Sequence, residues 1–310
     1  MSIDMGDVLD HTAEPTYITY YVPQSLNGAM FMYQRLLVPL DGSRLAEQVI
    51  PYVHVLGNHL KCPIAIVRAF GLPYMLESAD GATIDRVSTD LRHQARGYLN
   101  QVSMALRDGG GQVSAMEYEG DPAPVIINEA EKVPGTLITI STHGRSGVTR
   151  WVLGSVAEKV LNATTNPLLL IRGKPTEDQS SSDIPGTPDD WVRPVDVNSI
   201  VVPLDGSSMA EQVIPHAVAL AKSLEVSVVP IGVAPSASED TRVSEYLNNA
   251  AQQFRQEGVT SEEGQLLHGD SAEALLDMIQ RTTGCLVAMT TRGRSGLQRW
   301  VMGSVTDRVV

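Results

Sequence analysis

Two stretches of this chain repeat each other. Val38-Pro39-Leu40-Asp41-Gly42-Ser43 returns as Val202-Pro203-Leu204-Asp205-Gly206-Ser207, and Ala46-Glu47-Gln48-Val49-Ile50-Pro51 returns as Ala210-Glu211-Gln212-Val213-Ile214-Pro215. Further on, Gly144-Arg145-Ser146-Gly147, Arg150-Trp151-Val152 and Gly154-Ser155-Val156 return as Gly293-Arg294-Ser295-Gly296, Arg299-Trp300-Val301 and Gly303-Ser304-Val305. The early pair is separated by 164 positions and the later pair by 149. A repeat that shortens between two well-kept motifs is a duplicated domain with one variable middle loop. Its length also excludes a solenoid, whose period is about 20–50 residues.

The 310 residues suffice for two domains, each with its own core. A formal net charge of −13 argues against nucleic acid and against anionic membranes as partners. A small phosphorylated ligand needs only local donors and is not excluded. Cys62 and Cys285 occupy unrelated positions of the two copies and form no metal-ligand spacing, which fits a reducing cytoplasm. No apolar run approaches the roughly 18–20 residues that span a bilayer. The first cationic residue is Arg35, so a basic leader is not expected.

The expected organisation is an N-terminal arm over 1–32, a first domain over 33–172, a linker over 173–197 and a second domain over 198–310. The arm has neither helical nor strand period and reads as loose, and the linker is rich in Pro, Ser and Asp. In the first copy, apolar strands at 35–40, 63–69, 112–117, 136–140 and 167–171 alternate with helical patterns. One of these, 45–60, carries Pro51 as an expected kink. That alternation predicts an α/β fold with a parallel sheet covered on both faces. The second copy follows the same order but stops within its last helix. Either the sequence is a fragment or the second domain lacks its edge strand.

Ligands of open parallel sheets bind beyond the carboxyl ends of the strands, where strand order reverses. Asp41 ends the first strand and Ser141-Thr142-His143-Gly144 the fourth. Gly144 and Gly147 permit close backbone approach. Gly154-Ser155 opens a helix whose free N–H groups form a phosphate cradle. Asp41 either caps the first helix, a role Ser43 fills equally well, or contacts the ligand directly or through Mg²⁺. His143 and its counterpart Arg292 are candidate phosphate donors or solvated loop residues. Arg145, Arg150, Arg294 and Arg299 clamp phosphate or solvate the loop. Trp151 and Trp300 read as packing residues, and Ile140 and Met289 as core.

Both copies resemble the universal stress protein domain, and the chain resembles a tandem member. The family pattern is an Asp at the end of strand one, then Gly-x-x-Gly, nine residues and Gly-Ser or Gly-Thr. Gly144 and Gly154-Ser155 match it in the first copy, Gly293 and Gly303-Ser304 in the second. The resemblance implies two Rossmann-like, adenine nucleotide alpha hydrolase-like domains with strand order 3-2-1-4-5, the second without its last strand. It implies ATP, AMP or ADP as ligand, with Mg²⁺ held near Asp41 through the phosphates. Adenine would lie against Pro39, Leu40, Asp41 and Ala69, and ribose and phosphates along Ser141, His143, Gly144, Gly154, Ser155 and Val156. The second site would use Pro203, Leu204, Asp205, Val233, Thr290, Arg292, Gly293, Gly303, Ser304 and Val305.

The resemblance also implies pairing through last strands, as a homodimer or as an internal pseudo-dimer, with 167–171 left as an unpaired edge if the second copy has no partner strand. The motif's first Gly is replaced by Ser141 and Thr290, and the family's His by Arg292 in the second copy. These departures weight nucleotide binding toward the first domain. The sequence holds no Gly-x-x-x-x-Gly-Lys-Ser/Thr loop, no nucleophile elbow and no repeated His/carboxylate set. The expected function is therefore a regulatory nucleotide-binding module with at most weak ATP hydrolysis. Slow ATPase or adenylate-transfer activity, or an ATP-independent interaction module, are the alternatives.

Overall fold

The structure, a computed structural model, describes residues 18–22, 33–74, 79–107, 111–142, 153–172, 186–193, 195–290 and 304–309. The chain forms β1 (Ile18–Val22), β2 (Arg35–Pro39), α1 (Arg44–Glu47), α2 (Ile50–Leu60), β3 (Ile64–Phe70) and α3 (Gly81–Arg107). There follow β4 (Val113–Glu119), α4 (Pro122–Glu131), β5 (Thr136–Ser141), α5 (Ser155–Ala163) and β6 (Leu168–Ile171). A short α6 (Pro188–Trp191) lies between the copies. The second copy runs β7 (Ser199–Pro203), α7 (Ile214–Leu224), β8 (Ser227–Ala234), α8 (Asp240–Gln256), β9 (Gln265–His268), α9 (Ser271–Arg281), β10 (Cys285–Thr290) and α10 (Ser304–Val309).

All these strands join one ten-stranded sheet in the order β4-β3-β2-β5-β6-β1-β10-β7-β8-β9. The first five are parallel and give the first copy its 3-2-1-4-5 order. The second copy supplies four parallel strands. Near-continuous apolar strands such as Leu168–Ile171, buried throughout, demand helices on both faces. Helices α2, α3, α7 and α8 cover one face and α4, α5 and α9 the other, and each hydrophobic layer runs through both copies.

Two local expectations change. Pro51 does not kink a long helix; it sits in the first turn of α2, where its missing N–H is no loss, and a separate short α1 precedes it. Part of the segment read as a loose arm is a strand. β1 pairs parallel with β10, from Ile18 opposite Leu286 to Val22 opposite Thr290, and antiparallel with β6, from Ile18 opposite Ile171 to Tyr21 opposite Leu168. It stands beside β10 where β6 stands beside β5. The edge expected at 167–171 is therefore paired, and the two copies meet through β1. The reason is physical: β6 and β10, both buried, would otherwise bury unpaired backbone groups. Ile18-Thr19-Tyr20-Tyr21-Val22 is wholly β-branched or aromatic, so a strand was legible there, but nothing in five residues says which strands it joins.

The end of the sheet away from the strand carboxyl termini is pinned by a buried ion pair. The Arg35 guanidinium reaches Glu129 Oε1 at 3.1 Å, Thr136 Oγ1 at 3.3 Å and the Glu129 carbonyl, tying β2, β5 and α4 together. Among the described residues no helix is long and apolar enough to cross a membrane.

Candidate nucleotide site

The turn after β2 is built by its own residues. Asp41 Oδ1 accepts from the Ser43 N–H at 2.9 Å and the Ser43 hydroxyl at 2.7 Å, and Ser43 Oγ in turn caps α1 by accepting from the Ala46 N–H. Gly42, at φ 85°, makes the reversal, a conformation that costs a residue with Cβ about 1–2 kcal/mol. The second copy reproduces the device. Ser207 donates to Asp205 Oδ1 at 2.9 and 2.6 Å, Ala210 N–H reaches Ser207 Oγ at 3.1 Å, and Gly206 lies at φ 79°. Of the two roles open to Asp41, the structure gives the cap to Ser43, and in both copies the aspartate holds the serine of its turn.

β5 lies next to β2, so the end of β5 faces the Asp41 turn. The Gly154 N–H donates to the Thr142 carbonyl at 2.7 Å and the Thr142 N–H to the Ile171 carbonyl at 2.9 Å, fixing the start of α5 against the ends of β5 and β6. Gly154 is the N-cap of α5 and offers no side-chain acceptor, so the first-turn N–H groups and the positive end of the helix dipole are left to whatever occupies the space before them.

That space is a cavity of about 280 Å³. It is lined by Pro39, Leu40, Asp41, Ala69, Ser141, Gly154, Ser155 and Val156, all named from sequence for the first site. His143 and Gly144 lie outside the described residues, as do the loop residues Arg145, Gly147, Arg150 and Trp151. Sequence reasoning did not name the other lining residues: Ala46, Val67, Pro122, Ile126, Thr142 and Ala157, with Ile140, which was read as core. Val67 was in principle legible, because it and Ala69 share a face at the end of β3. Pro122 and Ile126 come from α4, whose approach depends on packing.

The residues fit the implied nucleotide. Ser141 is among the residues around the cavity, buried at 5% exposure, and its hydroxyl has no hydrogen-bond partner among the described residues. The apolar walls suit a base, and the bare α5 N-terminus suits phosphate. Among the described residues no cluster of three or more His, Cys, Asp or Glu could hold a metal alone.

In the second copy, Pro203, Leu204 and Asp205 lie at the end of β7, Val233 near the end of β8 and Thr290 at the end of β10. Ser304 and Val305 open α10. Arg292, Gly293, Gly303, Arg294, Arg299 and Trp300 are outside the described residues. Thr306 Oγ1 donates to the Thr290 carbonyl at 3.2 Å, tying α10 to β10.

The family model for the universal stress protein family matches residues 32–172 and 197–310. The chain belongs to that family. A universal stress protein of Methanocaldococcus jannaschii is 26% identical over 158 residues, covering 50% of this chain and 92% of its own length. The universal stress protein YxiE of Bacillus subtilis is 24% identical over 152 residues, 46% of this chain and its full length. Each of these universal stress proteins thus corresponds to about one half of this chain. A universal stress protein of Archaeoglobus fulgidus superposes on 89% of this chain and 94% of its own at a TM-score of 0.65 and 20% identity, sharing the fold across both halves.

Proposed function

We propose that this universal stress protein is an ATP-binding regulatory module whose principal site is the cavity between the ends of β2, β3 and β5. One observation carries the reading: the uncapped start of α5 opens on a cavity with apolar walls at the carboxyl ends of β2, β3 and β5. Adenine would lie against Leu40, Val67 and Ala69, and the phosphates before Gly154, Ser155 and Val156. Mg²⁺, when bound, would neutralise phosphate charge, which lets the Asp41 carboxylate stand close to it. Both cysteines are buried, and burial pushes each thiol up to about 11 and leaves it unreactive, in keeping with a cytoplasmic protein.

Gly154→Val tests the site. Gly154 has φ −59° and ψ 144°, which valine adopts without backbone strain, and a β-branched side chain there stands next to the first-turn N–H groups of α5. Calorimetric titration of the wild-type chain with Mg·ATP should show binding, and the variant should bind at least about tenfold more weakly. No binding to the wild type, or unchanged affinity in the variant, would overturn the assignment.

A further inference from the structure

The short helix α1 has two neighbours. Ala46 lines the cavity, and the next residue, Glu47, points away from it into a buried contact with the segment that joins the two domains. Glu47 Oε2 accepts the Gly186 N–H at 2.5 Å and the indole N–H of Trp191 at 3.1 Å. Trp191 is 2% exposed and meets Tyr98 edge-on at 6.5 Å between ring centroids. Arg68 of β3 lies over the other side of this arrangement, its guanidinium 5.0 Å from the Tyr98 ring, and that guanidinium also packs against Gly42 of the Asp41 turn. The connecting segment holds its own shape: Thr187 and Asp190 form a capping box around α6.

The comparison between copies shows that this arrangement is specific to the first. In the second copy Tyr246 donates to Glu211 at 3.1 Å, whereas in the first the Tyr98 hydroxyl and Glu47 Oε1 form no such bond. The position of Arg68 is Gly232 in the second copy, where Leu247 and Val243 fill the space, and there Glu211 is held by Tyr246 on an exposed surface. In the first copy burial raises the Glu47 pKa, and the N–H groups of Gly186 and Trp191 oppose this only in part, so the connecting segment supplies the donors to a buried carboxyl group.

We infer that Gly186–Trp191 is a latch on the first site: docked on Glu47 and Tyr98 it holds the Asp41–Glu47 turn in the shape that lines the cavity, so docking and nucleotide occupancy stabilise each other. The inference rests on the nucleotide reading of the cavity. It adds a route by which that site is coupled to the junction of the two domains. The coupling element is α1, with one residue on each side of it, and reciprocity follows from linkage.

The test uses the full chain with Trp151→Phe and Trp300→Phe, so that Trp191 is the sole tryptophan. Saturating Mg·ATP should reduce acrylamide quenching of Trp191. Trp191→Phe, which keeps an aromatic ring but removes the indole N–H, should weaken Mg·ATP binding about five- to tenfold, within the usual range of coupling. Asp190→Ala, which breaks the α6 capping box outside the core, should raise Trp191 quenching and weaken binding in the same direction. Wild-type affinity in both variants, with the wild type binding ATP, would overturn the latch and leave the site standing. An absence of ATP binding in the wild type would instead remove the nucleotide reading, and the latch with it. If Trp191→Phe fails to fold, the Asp190→Ala result decides.

Discussion

The Tyr33 hydroxyl and His216 Nδ1 meet at 3.3 Å across the boundary between the two copies, one residue ahead of the first β-α unit and the other on α7. His216 is 2% exposed, and burial pulls its pKa down to about 4. It is therefore neutral in the fold, whereas in the unfolded chain it takes up a proton below about pH 6.5. Stability from this residue is full above that pH and falls as the pH drops toward 4, by about 3 kcal/mol at the limit. Urea unfolding at pH 7.5 and pH 5 should show the loss in the wild type and a smaller loss in His216→Gln. Equal pH dependence in the two proteins would refute the assignment.

Glu129 presents the opposite sign. Burial would raise its pKa, yet hydrogen bonds from Lys132, Tyr118 and Arg35 outweigh this and hold it below the usual carboxylate value. Its contribution is present above the unfolded pKa and lost as acid titrates it. Glu129→Leu should destabilise by roughly 3–5 kcal/mol, because Arg35 remains buried without its partner. Adding Arg35→Met should restore most of that loss, and a double mutant as unstable as the single would show that packing, not charge, is responsible.

Gly42→Ala should cost about 1–2 kcal/mol, since its φ of 85° is unfavourable for alanine and the new Cβ would lie 3.0 Å from the Arg68 guanidinium. Gly206→Ala carries the same backbone cost without an arginine in the way. Thermal unfolding should thus rank Gly42→Ala below Gly206→Ala, and only Gly42→Ala should weaken binding at the first site.

Tyr20→Pro removes an amide from the middle of β1, which is paired on both sides with Ala288 and Leu169. A strand with two neighbours does not accommodate proline, and the expected loss is about 1–3 kcal/mol from the unmet partner group. Amide exchange should quicken in β6 and β10 together. Unchanged protection in both strands would mean that β1 does not hold the copies side by side.

Much of the site was legible because its devices are local. Asp41-Gly42-Ser43 and Gly154-Ser155 announce a turn, a cap and a helix start within a few residues, and their positions at strand ends follow from the alternation of strand and helix. The residues left unnamed reach the cavity from elements whose tilt is a packing outcome: Ala46 from α1, and Pro122 and Ile126 from α4. Pro51 shows a local rule applied to the wrong boundary. Its ring is compatible with either a kink or a helix start, and only the end of α1 at Glu47 selects the latter.

The sequence by itself determined the duplication, the α/β alternation and the paired Asp-Gly-Ser turns, since each is encoded by backbone preferences of neighbouring residues. Tertiary structure alone decided that β1 fills the place beside β10, that Trp191 docks on Glu47 and that Arg68 lies over Tyr98. Apart from Arg68 and Tyr98, these partners are more than a hundred residues apart, and all depend on burial and geometry that no sequence period records. The two copies therefore share their Asp-Gly-Ser turns and differ in what is packed against them.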